Sequence, residues 1–369
     1  MAGQLVQRGK NKWLVRVFLG RDANGKRKYY SKVVHGTKKE AQTYLTKLLR
    51  QRDTGELVEP SRKYLKDYLQ EWLETAVRPR VREVTFESYQ DVIRLYIVPH
   101  LGDTRLTDLT PAQIQAAYNA LSEQGLSART VRYAHSILRD ALEQAVKWQM
   151  LPRNPAQYVD LPRQKKKEMR ALSPQEAKRF LEEAAYSRWQ ALFSLLITTG
   201  MRPGEALGLK WEDIDFHKGR VSIRRTMTRD GRLEEPKTPG SRRVISLPKS
   251  VLIDLKNHRR NQLEEKLRAK EYNDQGLVFA NENGGPVNYR NLIRRHFKPL
   301  LKRAGLPEDI RLYDLRHTCA TLLLAAGENP KVVSERLGHS SVTLTLDTYS
   351  HVLPDLQQRA ADKLERLLF

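Results

Sequence analysis

An aperiodic, cation-rich stretch divides this 369-residue chain. Leu161–Ala171 (LPRQKKKEMRA) carries five cations and neither helical nor strand spacing. Directly after it, Ser173-Pro174-Gln175-Glu176 sets a hydroxyl at an N-cap, a proline at the first helical position and a glutamate three residues on, which is a helix-start signal. An exposed linker over 163–171 with a new helix behind it implies separately folded bodies, and the length fits two or three domains. The chain holds 66 Lys+Arg against 43 Asp+Glu, a formal charge of +23, with 40% hydrophobic residues. That is the balance of a folded protein with a polyanionic partner, nucleic acid first. A membrane surface is the rival, but no basic amphipathic helix with a Trp/Phe face stands out. The longest apolar runs, such as Trp189–Thr199, are too short to span a bilayer. The start, MAGQLVQRGKNKW, has no signal-peptide core, and the one cysteine, Cys319, suits a reducing cytoplasm, where the chain is expected to work.

Residues 1–58 read as a small β-sheet backed by one helix. The first 60 residues count 14 Lys+Arg and 5 Asp+Glu. Lys12–Leu19 alternates, with Trp13, Val15, Val17 and Leu19 on one face, and strand-like residues resume over Lys26–Val34. Thr37 and Glu40 form a capping box, followed at helical spacing by Ala41, Tyr44, Leu45 and Leu48. A two-stranded ribbon fits a major groove, so Arg16, Arg21, Lys26, Arg27 and Lys28 are candidate phosphate contacts, against the plainer reading of a solvated basic sheet. Gly20–Lys26 begins like a nucleotide-binding loop, but Arg27 stands where a Mg²⁺-binding hydroxyl belongs and the loop joins two strands; nucleotide binding is rejected.

Residues 62–162 read as four helices. Leu65, Tyr68, Leu69, Trp72 and Leu73 form one apolar stripe, and Phe86, Tyr89, Ile93 and Tyr96 another that should end near Pro99. Thr110-Pro111 caps a third helix, and Val131–Trp148 makes a fourth. Arg129, Arg132, Arg139 and Lys147 are candidate phosphate contacts, each by itself also readable as a solvated charge.

Residues 172–369 carry the chemistry. T-T-G-M-R-P-G-E centres on Arg202, where a helix should begin, with Glu205 placed to hold the guanidinium. R-L-Y-D-L-R-H-T contains Tyr313, Arg316 and His317; E-R-L-G-H-S-S presents His339 behind a glycine stop; L-D-T-Y supplies Tyr349. From Arg316 the next two residues follow 23 and then 10 positions on. A phenol can attack phosphorus and form a covalent intermediate. Two guanidiniums can grip phosphate oxygens bidentately and remain charged at any working pH. Fixed donors aimed at oxygens that gain charge lower the barrier, and a histidine can donate to phosphate or carry a proton. His317 reads equally well as a core histidine. Arg290 and Arg294, on a helix capped by Asn288, are further candidate backbone contacts. Leu356–Leu368 reads as a final amphipathic helix.

These boxes resemble those of the tyrosine recombinase (phage integrase) family: an arginine in T-G-x-R-x-x-E, an arginine in H-x-L-R-H, a histidine in L-G-H, and a tyrosine about ten residues later. The resemblance spans essentially the whole chain. It implies a multidomain protein, mainly α with small β-sheets: an arm-type DNA-binding domain over 1–58, a helical, SAM-like core-binding domain over 62–162, a linker over 163–171 and a mixed α/β catalytic domain over 172–369. The implied activity is site-specific recombination of double-stranded DNA, integrating or excising a mobile element through a 3′-phosphotyrosine at Tyr349, with no metal, ATP or other cofactor. Arg202 and Arg316 would clamp the phosphate, His339 and Tyr313 would support it, and Lys237, in P-K-T-x-x-S-x-R, would protonate the departing 5′ oxygen. The implied partners are core and arm-type sites, a homo-tetramer on DNA, an excisionase and a DNA-bending host factor. The departure is Tyr313, where the family usually has histidine; a phenol of pKa about 10 is a poor base at neutral pH. The rival readings are a type IB topoisomerase, which would relax any supercoiled plasmid, and a regulator with degenerate chemistry, which would form no covalent adduct.

Overall fold

A computed structural model describes residues 3–21, 25–54, 63–164, 170–228, 230–236, 240, 242–349 and 356–369, without the side chains of 356–360 and 363. Two compact units are present, Met1–Lys166 and Lys167–Phe369.

The first unit opens with an antiparallel sheet of β1 (Gly3–Gly9), β2 (Lys12–Arg21) and β3 (Arg27–His35), in that order, followed by α1 (Lys38–Asp53). The strand β1 has no counterpart in the sequence reading, because GQLVQRG is short, flanked by glycines and largely exposed, with little alternation to detect. Val15 and Val17 are buried with Leu45 and Leu48 of α1, so one face of the sheet packs on the helix. The Thr37–Glu40 capping box is formed in both directions. It satisfies amide donors that the first helical turn otherwise leaves orphaned.

Behind it come α2 (Leu65–Trp72), α3 (Glu83–Val92), α4 (Val98–Leu101), α5 (Pro111–Glu123) and α6 (Ala128–Lys147). They close over a core that includes Tyr68, Trp72, Phe86 and Tyr118. The helix of the second apolar stripe runs through Pro99 and ends two residues later. A π-helical turn, Ile93–Ile97, leads α3 directly into α4, which continues to Leu101. Proline has no N–H and its ring crowds the carbonyl four residues back. The wider turn relieves that crowding: Val98 N–H donates to Ile93, five residues earlier. The same device precedes Pro299, after Leu292–Phe297, where the helix continues as far as Arg303; a π-turn over Leu73–Val77 also precedes Pro79, but there the helix ends. Ahead of Pro99 and Pro299 the π-turn lets the helix axis survive the proline.

The second unit begins with α7 (Pro174–Ala184), whose Ser173–Glu176 capping box is formed, then α8 (Gln190–Thr199) and α9 (Pro203–Leu207). A three-stranded antiparallel sheet joins β4 (Ile214–Asp215), β5 (Arg220–Ile223) and β8 (Arg243–Ser246); β6 (Thr226–Met227) and β7 (Leu233–Glu234) form a separate hairpin. Next come α10 (Lys249–Arg268), α11 (Tyr289–Asn291), α12 (Lys298–Arg303), α13 (Asp314–Ala325), α14 (Pro330–Leu337), α15 (Val342–Tyr349) and α16 (Leu356–Leu368). Phe180, Phe193 and Phe297 meet edge-on or tilted at 5.6–6.0 Å between ring centroids, and anchor the core on which α8 and α13 are set. Among the described residues no helix is long and apolar enough to cross a membrane.

Candidate active site

The site is built where α8 stops. Gly200 adopts the left-handed conformation, φ 65°, and a Cβ there would lie 2.4 Å from Leu337 Cδ2. Only glycine fits both demands. The turn puts Arg202 at the N-cap of α9, ahead of Pro203. Glu205, in the first turn, folds back: its Oε2 accepts from Arg202 N–H at 2.9 Å and its Oε1 from Arg202 Nη1 at 2.8 Å. The N-cap amide is therefore already occupied, and what Arg202 offers a ligand is its half-exposed guanidinium. Glu205 is 2% exposed. Burial opposes its ionisation, but Arg243 and Arg202 outweigh that and hold it below the usual carboxylate range.

Arg243, on β8, received no role from its place in P-K-T-x-x-S-x-R. Its Nη2 and Nη1 bond Glu205 at 2.9 and 3.3 Å, and its Nε donates to the Arg336 carbonyl at 2.8 Å. It thus joins the Arg202 turn to the end of α14. Beside β8 a groove of 810 Å³ opens, lined by Lys210, Arg224, Arg225, Arg242 and Arg243 among others.

Arg316, on α13, is 1% exposed. Its Nη1 donates to the carbonyls of Gly200 (2.8 Å) and Leu337 (2.7 Å), which stitches the ends of α8 and α14 together. Its Nη2 is buried and has no hydrogen-bond partner among the described residues. A buried donor without an acceptor is costly, so its persistence points to an absent acceptor. Burial, and then the charge of Arg202, push the Arg316 guanidinium down to about 10, which leaves it charged at neutral pH.

His339 follows Gly338, another left-handed glycine, φ 68°, and its Nδ1 shares a 2.7 Å hydrogen bond with buried Thr345 Oγ1. Burial, followed by the charges of Arg316, Arg202 and Arg243, pushes its imidazole down to about 4, so it is neutral at pH 7. Tyr349 closes α15 and is 2% exposed. Its hydroxyl lies 2.7 Å from His317 Nδ1. Burial pushes the phenol up, although Arg316 favours its ionised form. His317 is lowered by burial, so the phenol donates and the imidazole accepts. His317 therefore has a defined polar partner. Tyr313 stands before α13, partly exposed, with its ring 5.4 Å from that of His317. Lys237 lies outside the described residues.

The other candidate contacts lie on other elements. Strand register puts Arg16, Arg21 and Arg27 on the sheet face opposite Val15 and Val17, with Arg16 stacked on Tyr29 at 4.6 Å. Lys28 falls on the Tyr30 side, and Lys26 just precedes β3. On α6, Arg129, Arg132, Arg139 and Lys147 are all exposed. At about 100° per residue they share a stripe about 80° wide. Arg132 also donates to the Pro162 carbonyl at 3.1 Å. Arg290 and Arg294 are exposed on the helix that Asn288 caps.

Residues 170–355 match the phage integrase family, and residues 64–122 the phage integrase N-terminal SAM-like domain. The chain is 34% identical to a tyrosine recombinase XerC-like protein of Caldanaerobacter subterraneus subsp. tengcongensis, over 98% of both chains. Its fold is similar to that of a Tn1549 transposon integrase in complex with a circular intermediate DNA: TM-score 0.70, 22% identity, 82% of this chain and 99% of that one. It is also similar to a lambda integrase in a tetramer bound to a Holliday junction: TM-score 0.60, 19% identity, 93% and 94% covered. A tyrosine-type site-specific recombinase is the class that this fold defines, and the chain belongs to the phage integrase family.

Proposed function

We propose that this recombinase cuts and rejoins duplex DNA through a 3′-phosphotyrosine at Tyr349, and that it integrates and excises a mobile element. The observation that carries the reading is the Arg316 guanidinium: buried, charged and with Nη2 unpartnered among the described residues, beside groups that include Arg202, Tyr313 and Arg243. A phosphate oxygen is the acceptor that chemistry supplies for it. Arg202 provides the second guanidinium, steered by Glu205.

Attack by the Tyr349 oxygen forms its bond to phosphorus and breaks the bond to the 5′ oxygen. Lys237 is the candidate acid for that oxygen. His339, neutral at pH 7, and the Tyr313 hydroxyl donate hydrogen bonds to the phosphate. A 5′ hydroxyl from another strand then reverses the step, so the phosphotyrosine conserves the energy of the broken bond. The exposed cations of β2, β3 and α6, with Arg290 and Arg294, supply phosphate contacts whose binding falls steeply with salt. Assembly as a homo-tetramer on core and arm-type sites, in the cytoplasm, with an excisionase and a DNA-bending host factor, completes the reading. The lambda integrase tetramer on a Holliday junction and the Tn1549 transposon integrase on a circular intermediate DNA support the DNA and the tetramer in this reading.

The test is a nicked suicide duplex, selected by the wild-type chain from a library with a randomised core. Wild-type chain should become covalently attached to DNA. Tyr349→Phe should bind the same duplex without attachment; an adduct formed by Tyr349→Phe sinks the assignment.

A further inference from the structure

We infer that His317 is the residue that takes the phenolic proton of Tyr349 during strand cleavage, so that the base lies one residue after Arg316 and not at position 313. This rests on the reading of Tyr349 as the nucleophile.

The geometry is direct. His317 lies in α13 and Tyr349 at the end of α15, 32 residues apart, yet their side chains meet at 2.7 Å through Nδ1 and the hydroxyl. Both residues are buried, at 9% and 2% exposure. Water is therefore a poor competitor as proton acceptor, and a proton leaving Tyr349 has an imidazole nitrogen already in line with it. The other candidates are worse placed. Tyr313 offers a hydroxyl and no imidazole nitrogen, and its ring packs edge-on against that of His317. His339 has its Nδ1 engaged with Thr345.

Among the described residues, the groups facing His317 come from several elements. Asp314 on α13 favours its protonated form, while Arg311, just ahead of α13, and Arg316 oppose it. From beyond α14, His339 is an electrostatic neighbour. From α15 there is Tyr349, and Tyr313 stacks edge-on against the ring. Burial adds to the two arginines and keeps the imidazole neutral and accepting before DNA arrives. A bound phosphate brings negative charge next to these arginines and raises the imidazole's proton affinity when the phenol must lose its proton. In the step, the Tyr349 O–H bond breaks and an N–H bond forms at His317 Nδ1. The phenolic oxygen bonds phosphorus, and the 5′ oxygen leaves and takes a proton from the acid assigned to Lys237. In rejoining, His317 returns its proton to Tyr349.

The test uses the full chain and the selected suicide duplex. His317→Asn keeps an oxygen able to accept a hydrogen bond from Tyr349 but cannot take its proton. Adduct formation at pH 7 should fall by about a hundredfold or more, with DNA binding unchanged and with a rate that climbs steadily up to pH 9. A duplex with a 5′-bridging sulfur, whose leaving group needs no acid, should not rescue it. A rate within threefold of wild type across the pH range would show that His317 only positions the tyrosine, and a faster rate would show that it restrains it; either overturns the proposal. Nitrogen-15 NMR of the unliganded wild-type chain gives a check independent of folding of the variant. At pH 7 His317 should be the neutral tautomer with Nδ1 unprotonated, and Tyr349→Phe should shift that resonance; a protonated Nδ1 overturns the proposal. If the wild-type chain forms no adduct on any selected duplex, the nucleophile reading fails first and this one falls with it.

Discussion

Glu205 and Arg243 meet through two hydrogen bonds, of 2.9 and 3.3 Å, with only 3% and 8% of their side chains open to solvent. The same carboxylate holds Arg202. One buried anion therefore fixes two guanidiniums, and through the Arg336 carbonyl it also fixes the turn that presents His339.

Arg243→Ala should accordingly leave Glu205 buried with a smaller share of its compensating charge. Removing one partner of a buried pair costs about 3–5 kcal/mol. The expected result is a fall in thermal midpoint of about 6–20 °C, with about 2–4 °C per kcal/mol for a body of this size. Calorimetry checks it. Arg243→Lys should recover less than half of the loss, because an ammonium cannot bond two carboxylate oxygens and the Arg336 carbonyl together.

Tyr313→His should preserve adduct formation. At this half-exposed position the phenol supplies at most a hydrogen bond, which an imidazole can also donate. Single-turnover cleavage of the suicide duplex measures it. A loss beyond a hundredfold, about 2.7 kcal/mol, would show that the phenol has a role of its own.

Acid should destabilise the second unit in a window set by His339. Its imidazole is pushed down to about 4 in the folded chain, against an ordinary value near 6.5. Between those values the unfolded chain binds the proton and the folded chain does not. The stability is thus fully present above about 6.5 and drains as pH falls toward about 4. The thermal midpoint followed from pH 7 to pH 4 should drop less steeply in His339→Gln than in wild type. Equal slopes would rule out His339 as the titrating group.

Gly200→Ala combines a left-handed backbone with a 2.4 Å approach to Leu337. Strain of about 1–3 kcal/mol is expected before the clash is counted. Because the Gly200 carbonyl is an acceptor of Arg316, the variant should lose cleavage out of proportion to its loss of stability. Cleavage that tracks stability alone would show that the carbonyl does not position the guanidinium.

What the sequence determined by itself was local. Thr37 with Glu40 and Ser173 with Glu176 act over three residues, so those helix starts could be read directly and the structure forms both boxes. The order of the Arg202, Arg316, His339 and Tyr349 boxes, with their residue types, defined the class of chemistry. Tertiary structure decided everything that depends on distant contacts. Arg316 reaches Gly200 across 116 residues, and Arg243 reaches Arg336 across 93. Neither spacing leaves a periodic trace, because a hydrogen bond between remote segments depends on how helices pack and not on how side chains repeat. The pairing of His317 with Tyr349 is of the same kind. A histidine in an apolar helix reads as core until the fold brings a phenol to its nitrogen.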